Sequence, residues 1–170
     1  MYRALLLTGV AGAGKSTVAQ AAGRVLTTAG CVTAVVDADA LAQFGPHPAD
    51  GRFYDRLKCA NLAAVWANFK AAGARFVVVA AVVDSVPLRE LYTESLAGCT
   101  VQLVALTADD DTVRSRLRRR DTGAKLEQHL EALNRPTTTA VADFTVTNDR
   151  TAAEVASEII ERAGWMDQVR

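Results

Sequence analysis

The sequence predicts an α/β fold, a parallel five-stranded sheet between two layers of helices, in one domain spanning residues 1–170. Three observations predict it. Short, almost wholly apolar runs alternate five times with longer segments whose apolar residues recur at helical spacing. No linker, internal repeat or low-complexity stretch interrupts the alternation. A glycine-rich loop, GVAGAGKS, stands where the first apolar run gives way to the first helical segment, a strand-to-helix turn of the kind that holds phosphate.

Composition agrees with this. A chain of 170 residues can bury a core, and 50% hydrophobic with 22% charged residues suits an ordinary water-soluble domain. The formal net charge of zero gives no global field to attract nucleic acid or an anionic membrane, and neither is expected as a partner. The apolar stretch near the N-terminus is too short for a bilayer and runs into the glycine loop rather than a cleavage site, so no signal peptide is read. Cys31, Cys59 and Cys99 are odd in number and lack metal-ligand spacing. They are expected to pack as small apolar groups in a reducing compartment, the cytoplasm.

The first strand is RALLLT, Arg3 to Thr8. The loop after it fits G-x-x-x-x-G-K-[ST], with Gly9, Gly14, Lys15 and Ser16 at the fixed positions. Gly9, Gly12, Ala13 and Gly14 let the backbone turn tightly so that several N–H groups converge on one oxyanion. Lys15 can reach the outer phosphates of a nucleotide, the Ser16 hydroxyl can ligate Mg²⁺, and Thr17 continues the first turn of a helix whose positive end faces the same point. Val18, Ala22, Val25 and Leu26 give that helix its apolar face, and Gly30 can end it.

A second buried strand, Val32 to Val36, is followed by Asp37 and Asp39, at the strand end where open α/β sheets place ligands. Either aspartate can alternatively cap the next helix. Residues 44–53, FGPHPADGRF, read as a loop, with His47 an ordinary surface histidine. The following helix carries Leu62, Val65, Trp66 and Phe69 as its apolar stripe and ends at Gly73. Arg56, Lys58 and Asn61 lie off that stripe, facing substrate or solvent, with solvent the simpler expectation.

Residues 75–83, RFVVVAAVV, are the strongest central-strand signal. Asp84 after them either holds Mg²⁺ or its water shell, or caps the helix PLRELYTESL. Thr100 to Ala108 is the fourth strand. In DDDTVRSRLRRRDTG, the three leading acids suit a helix N-terminus. Arg116 and Arg120, four apart beside Leu117, share a face and are suited to phosphate. Asp121-Thr122-Gly123 is expected to be flexible, and a short helix over Lys125 to Leu133 with a return through Asn134-Arg135-Pro136 completes a lid over residues 116–136. A last strand, Phe144 to Thr147, leads through Asn148, Asp149 and Arg150 into a helix with Val155, Ala156, Ile159, Ile160 and Ala163 on its apolar face.

The order of elements and three stretches resemble the P-loop small-molecule kinases, a group that includes nucleoside monophosphate, gluconate, shikimate and adenylyl-sulfate kinases and chloramphenicol phosphotransferases. GVAGAGKS is the specific stretch; VVDAD is similar to the acidic motif after the second strand of adenylyl-sulfate and dephospho-coenzyme A kinases, and VRSRLRRR to the lid arginines of the group. The resemblance implies a three-layer P-loop NTPase fold with strand order 2-3-1-4-5. It also implies a purine site between the Arg116 and Arg120 region and the loop around Asn148, Asp149 and Arg150. There are departures. No DG-x-PR-type stretch follows the third strand, the residues after VVDAD do not match dephospho-coenzyme A kinases, and Phe44 to Phe53 match no acceptor motif. The acceptor is left open.

The expected activity is ATP-dependent transfer of the γ-phosphoryl group to a hydroxyl of a small molecule. Lys15 and the loop amides hold the phosphates, Ser16 and Asp84 serve Mg²⁺, and Asp37 or Asp39 accepts the hydroxyl proton. Asp37 is the first choice, because a strand end is held more rigidly than the turn beyond it. Arg116 and Arg120 close over the developing charge and exclude water. The alternative is a P-loop ATPase or a nucleotide-binding regulatory module without an acceptor. A GTPase should carry N-K-x-D, which is absent, and an AAA-type motor wants a larger helical subdomain. The expected state is monomer or homodimer.

Overall fold

The structure, a computed structural model, describes residues 1–45, 54–133 and 140–165. Its centre is β1 (Tyr2–Thr8), whose Ala4 to Leu7 are wholly buried because strands pair with it on both sides. β3 (Phe76–Ala80) runs parallel to it on one side and β4 (Cys99–Thr107) on the other. β2 (Thr33–Asp37) adds outside β3 and β5 (Phe144–Thr147) outside β4, both parallel, giving the expected order β2-β3-β1-β4-β5.

Successive strand residues point to opposite faces, and each face has its own core. Leu5, Leu7, Val78 and Val104 meet α1 (Lys15–Thr28) and α6 (Ala152–Arg162) on one face. Ala4, Leu6, Val77 and Leu103 meet α2 (Asp55–Ala71) and α3 (Val86–Ser95) on the other. The α1 face of Val18, Ala22 and Leu26 is buried as expected, as is the α6 face of Val155, Ala156, Ile159 and Ile160. Asp109 caps α4 (Asp110–Arg120) by accepting from Thr112 N–H at 2.8 Å, and Thr151 with Glu154 forms a capping box at α6. α5 (Gly123–Ala132) follows α4 after two extended residues.

Several boundaries move. The second strand is Thr33–Asp37 rather than 32–36, because Val32 lies at the exposed edge and Asp37 still pairs with Ala80. The third strand stops at Ala80, four residues before Asp84, although Ala81 and Val83 stay buried. The fourth strand starts one residue earlier, at Cys99. In α2 the stripe narrows to Cys59, Leu62 and Trp66, with Phe69 36% exposed at the helix end. The expectations for His47, the body of the 44–53 loop and Asn134-Arg135-Pro136 fall outside the described residues. All three cysteines are free thiols, and Cys59 is buried.

Candidate active site

The chain leaves β1 through Thr8, which is 5% exposed and whose hydroxyl makes two hydrogen bonds. It donates to Val83 O at 3.0 Å and accepts from Val83 N–H at 2.8 Å. This ties the segment beyond β3 to the root of the phosphate loop, so Asp84, exposed, emerges beside it. Asp84 does not cap α3, whose N-cap is Ser85.

Two glycines of the loop have no substitute. Gly9 sits at φ 141°, and a Cβ there would lie 2.4 Å from Leu106 O. Gly14, at φ 94°, would meet Asn148 Nδ2 at 2.3 Å. That Asn148 amide, 5% exposed, donates to Ala13 O at 2.8 Å and braces the loop from β5. Arg116 Nη1 reaches Gly12 O at 3.4 Å from α4, so this helix rests against the loop. Asp149 pairs instead with Arg150 at the surface.

Lys15 folds back over the loop, donating to Gly9 O at 2.8 Å and Val10 O at 3.0 Å. Burial pulls its ammonium down to about 8, against the opposing pull of Asp39 and Asp37; Arg120 and Lys58 push the same way as burial. These five charged groups therefore share one field. Ser16 Oγ donates to Asp37 Oδ2 at 2.6 Å. The other Asp37 oxygen, Oδ1, accepts from Asp39 N–H at 3.0 Å and caps the short 3-10 turn Ala38–Ala42. Capping and site placement thus belong to the same carboxylate.

Asp39 is held differently. Lys58 Nζ, on α2, donates to its Oδ1 at 2.7 Å, with the lysine side chain 11% exposed and the aspartate 63%. The expectation that Lys58 faces solvent is corrected: the aspartate across the sheet end draws the ammonium inward. Asn61, one turn on, donates to Leu41 O at 2.6 Å and fixes the same turn, while Arg56 is exposed. Asp55 joins this acidic end, its carboxyl pushed up by burial and by the charges of Asp84 and Asp39, with Lys58 opposing. Phe44 and Tyr54 stack edge-on at 5.1 Å beside it.

Arg120, the last residue of α4, is held by the residue that follows it. Asp121 is 3% exposed and accepts from Arg120 Nε and Nη2, from His129 Nδ1 at 2.8 Å, and lies 3.4 Å from Lys125 Nζ. The Arg120 guanidinium, helped by His129, holds its carboxyl well below the usual carboxylate range. The flexible reading of Asp121-Thr122-Gly123 is corrected at Asp121, because a buried carboxylate gathers every cation within reach.

Ser16 and Asp37 present two hard oxygen donors side by side, a set that suits Mg²⁺, which takes one or two protein oxygens with phosphate and water completing its shell. No group of three or more His, Cys, Asp or Glu side chains suited to a metal occurs among the described residues. No helix among them is long and apolar enough to cross a membrane.

Comparison with solved structures finds the same fold across the whole chain. The APS kinase CysC of Mycobacterium tuberculosis in complex with AMPPNP and APS is 23% identical with a TM-score of 0.63, covering 96% of this chain and 98% of that one. A gluconokinase from Sinorhizobium meliloti is 23% identical, TM-score 0.59, covering 98% and 93%. The tunicamycin resistance protein of Deinococcus radiodurans is 17% identical, TM-score 0.62, covering 96% of each. Comparison with curated protein sequences finds no match. A family model described as an AAA domain matches residues 5–135, from the first strand through the loop, the acidic strand end and the arginines of α4. The chain therefore belongs to the AAA domain family of P-loop proteins.

Proposed function

We propose that this protein is an ATP-dependent phosphotransferase that moves the γ-phosphoryl group to a hydroxyl of a small molecule. The observation that carries the reading is the Ser16–Asp37 hydrogen bond with the Asp39–Lys58 pair behind it. It brings two carboxylates from the end of β2 against an intact phosphate loop. A domain that only bound nucleotide would have no need of a second, exposed carboxylate there. The structural neighbours named for kinase activity on APS and gluconate support the same class.

The roles divide by geometry. The loop amides and Lys15 bind the β- and γ-phosphates; phosphate binding draws Lys15 off Gly9 O and Val10 O. Ser16 and Asp37 would hold Mg²⁺, which when bound neutralises charge on the phosphates. Asp84, one residue past the Val83 that Thr8 holds, would order its water shell. This leaves Asp39 as the base that accepts the hydroxyl proton. It is the more exposed of the pair, it is aimed by Lys58 through Oδ1, and it is not held to Ser16 as Asp37 is. The preference for Asp37 on grounds of rigidity gives way to that division. Arg116 and Arg120 approach from the lid side, and Asn148 holds the loop in shape. The acceptor lies over Asp39, Asp55 and the Phe44–Tyr54 pair.

The test is ADP release measured with and without candidate acceptors: nucleosides, sugars, coenzyme precursors, and aminoglycoside- or phenicol-type compounds. Slow hydrolysis alone and a large rise with one acceptor class is the expected outcome. Rapid hydrolysis that no acceptor changes would make the protein an ATPase and end the kinase reading.

A further inference from the structure

We propose that Asp121 is a positioning residue that couples Arg120 to helix α5, so that the arginine and this helix answer to nucleotide as one unit. The proposal rests on the phosphotransferase reading only in calling Arg120 a phosphate-facing group.

α5 buries no residue fully. Leu126, His129 and Leu130 are only half-buried, so apolar packing holds this helix weakly to the domain. What ties it down is polar. From α5, His129 Nδ1 donates to Asp121 Oδ2 at 2.8 Å and Lys125 Nζ lies 3.4 Å from Oδ1. From the end of α4, Arg120 bonds the same carboxylate through Nε at 3.2 Å and Nη2 at 2.8 Å. Asp121 itself is anchored, since its N–H donates to Leu117 O at 2.8 Å and Leu117 is wholly buried.

One buried carboxylate thus serves partners from two helices, Arg120 of α4 and Lys125 and His129 of α5. Its net effect is to fix the direction of Arg120, whose side chain is 55% exposed and whose charge acts on Lys15. A guanidinium this exposed would otherwise sample many rotamers. Holding it one turn beyond Arg116, which reaches Gly12 O of the phosphate loop at 3.4 Å, removes that freedom before the nucleotide arrives. The same bond makes α5 sensitive to the arginine. A phosphate that engages Arg120 changes what Asp121 has left to offer His129 and Lys125, and anything that moves α5 changes Arg120 in return.

The experiment uses the full chain, Asp121→Asn, His129→Gln, Arg120→Ala and the Arg120→Ala/Asp121→Asn double variant. Hydrogen exchange of the α5 amides is followed with and without ATP–Mg²⁺, and ATP affinity is measured by calorimetry. Asp121→Asn and His129→Gln should both speed α5 exchange in the nucleotide-free protein by about 10-fold, within the range for partners in one hydrogen-bonded network. ATP should change α5 exchange in the wild type and not in His129→Gln. Asp121→Asn should weaken ATP binding, and the double variant should bind no worse than Arg120→Ala alone, because Asp121 acts through the arginine. Additive losses in the double variant, or α5 exchange that none of these changes alters, would overturn the proposal. If Asp121→Asn fails to fold, His129→Gln carries the exchange arm by itself. Exchange and affinity need no acceptor, so they can hold even if no phosphoryl transfer is found, in which case the kinase reading fails and this coupling stands.

Discussion

Lys58 and Asp39 form a pair whose two halves have unequal surroundings, and that inequality predicts an asymmetry between their variants. The ammonium is nearly buried and the carboxylate is 63% exposed. Asp39→Asn leaves a buried ammonium with a neutral partner, losing a charge-assisted hydrogen bond of about 2 kcal/mol. In a domain of this size that lowers Tm by about 4–8 °C. Lys58→Met removes the buried charge and leaves Asp39 to water, which already reaches it, so the stability change should be under about 1 kcal/mol. Activity should rank the same way for a different reason. Asp39→Asn loses the base and roughly 10²- to 10⁴-fold in turnover. Lys58→Met keeps the base and loses its aim, which should cost about 10-fold, a fraction of the penalty for removing the base itself. Thermal melts and acceptor-dependent ADP release on the two variants side by side check both rankings. If Lys58→Met melts well below Asp39→Asn, the burial argument is wrong. If Asp39→Asn keeps near-normal turnover, Asp39 is not the base, and Asp37 and Asp84 return as candidates.

The other predictions concern the loop and lid. Lys15→Met should abolish phosphoryl transfer yet raise the melting temperature of the nucleotide-free protein at pH 7, by up to about 3 kcal/mol of stability, because a buried ammonium is removed. The same depression to about 8 from 10.5 sets a pH dependence. Above about pH 8 the folded loop sheds a proton that the unfolded chain keeps, so the unfolded state binds more protons and wild-type stability should rise with pH toward about 10. A Lys15→Met melt below wild type at pH 7 would contradict this. Ser16→Ala and Asp37→Asn should each raise the Mg²⁺ concentration needed for half-maximal activity, by about 10-fold if each removes one ligand; an unchanged Mg²⁺ titration in both would remove the metal assignment. Arg116→Ala should lower turnover by up to ~10³-fold with little change in melting, as arginines on transferring phosphate do, whereas Arg118→Ala, exposed on another face of α4, should leave turnover near wild type; equal losses would refute the face assignment.

The fold was legible because each of its signals is local and repeated. β1 and β3 are buried on both faces, so their sequence is continuously apolar, and the helices between strands carry stripes that need a sheet to cover. The phosphate loop was legible for a stronger reason. Gly9 and Gly14 stand where any side chain would strike Leu106 O or Asn148, so the backbone geometry itself dictates the letters. Strand ends were less legible. Ala81 and Val83 are as apolar as the strand before them; Ala81 N–H still donates to Leu7 O of β1 at 3.0 Å, and at Val83 the Thr8 hydroxyl, not a neighbouring strand, takes up the backbone hydrogen bonds.

The site was legible on one side only. Asp37 and Asp39 could be named because a strand end is a sequence position with a spatial meaning. Lys58 could not, since its role depends on a carboxylate 19 residues away. Read along α2 alone, a lysine off the apolar stripe belongs in solvent. Asp121 was hidden the same way: next to glycine and threonine it reads as a linker, and only the packing of α5 back onto α4 makes it the most enclosed carboxylate of the lid. Asn148 also changes meaning, from a residue free to meet a base to one spent on Ala13 O. All three are polar side chains whose partner comes from another element. Periodicity encodes which face of an element is buried; it carries no information about which charge will be waiting there. Where one member of such a pair sits in a motif, as Asp39 does, the search for its partner can begin from the sequence. The candidates are the few charged or polar residues that periodicity places off the stripe of the next helix, and here Arg56, Lys58 and Asn61 were that short set, of which Lys58 and Asn61 bind the turn that carries Asp39.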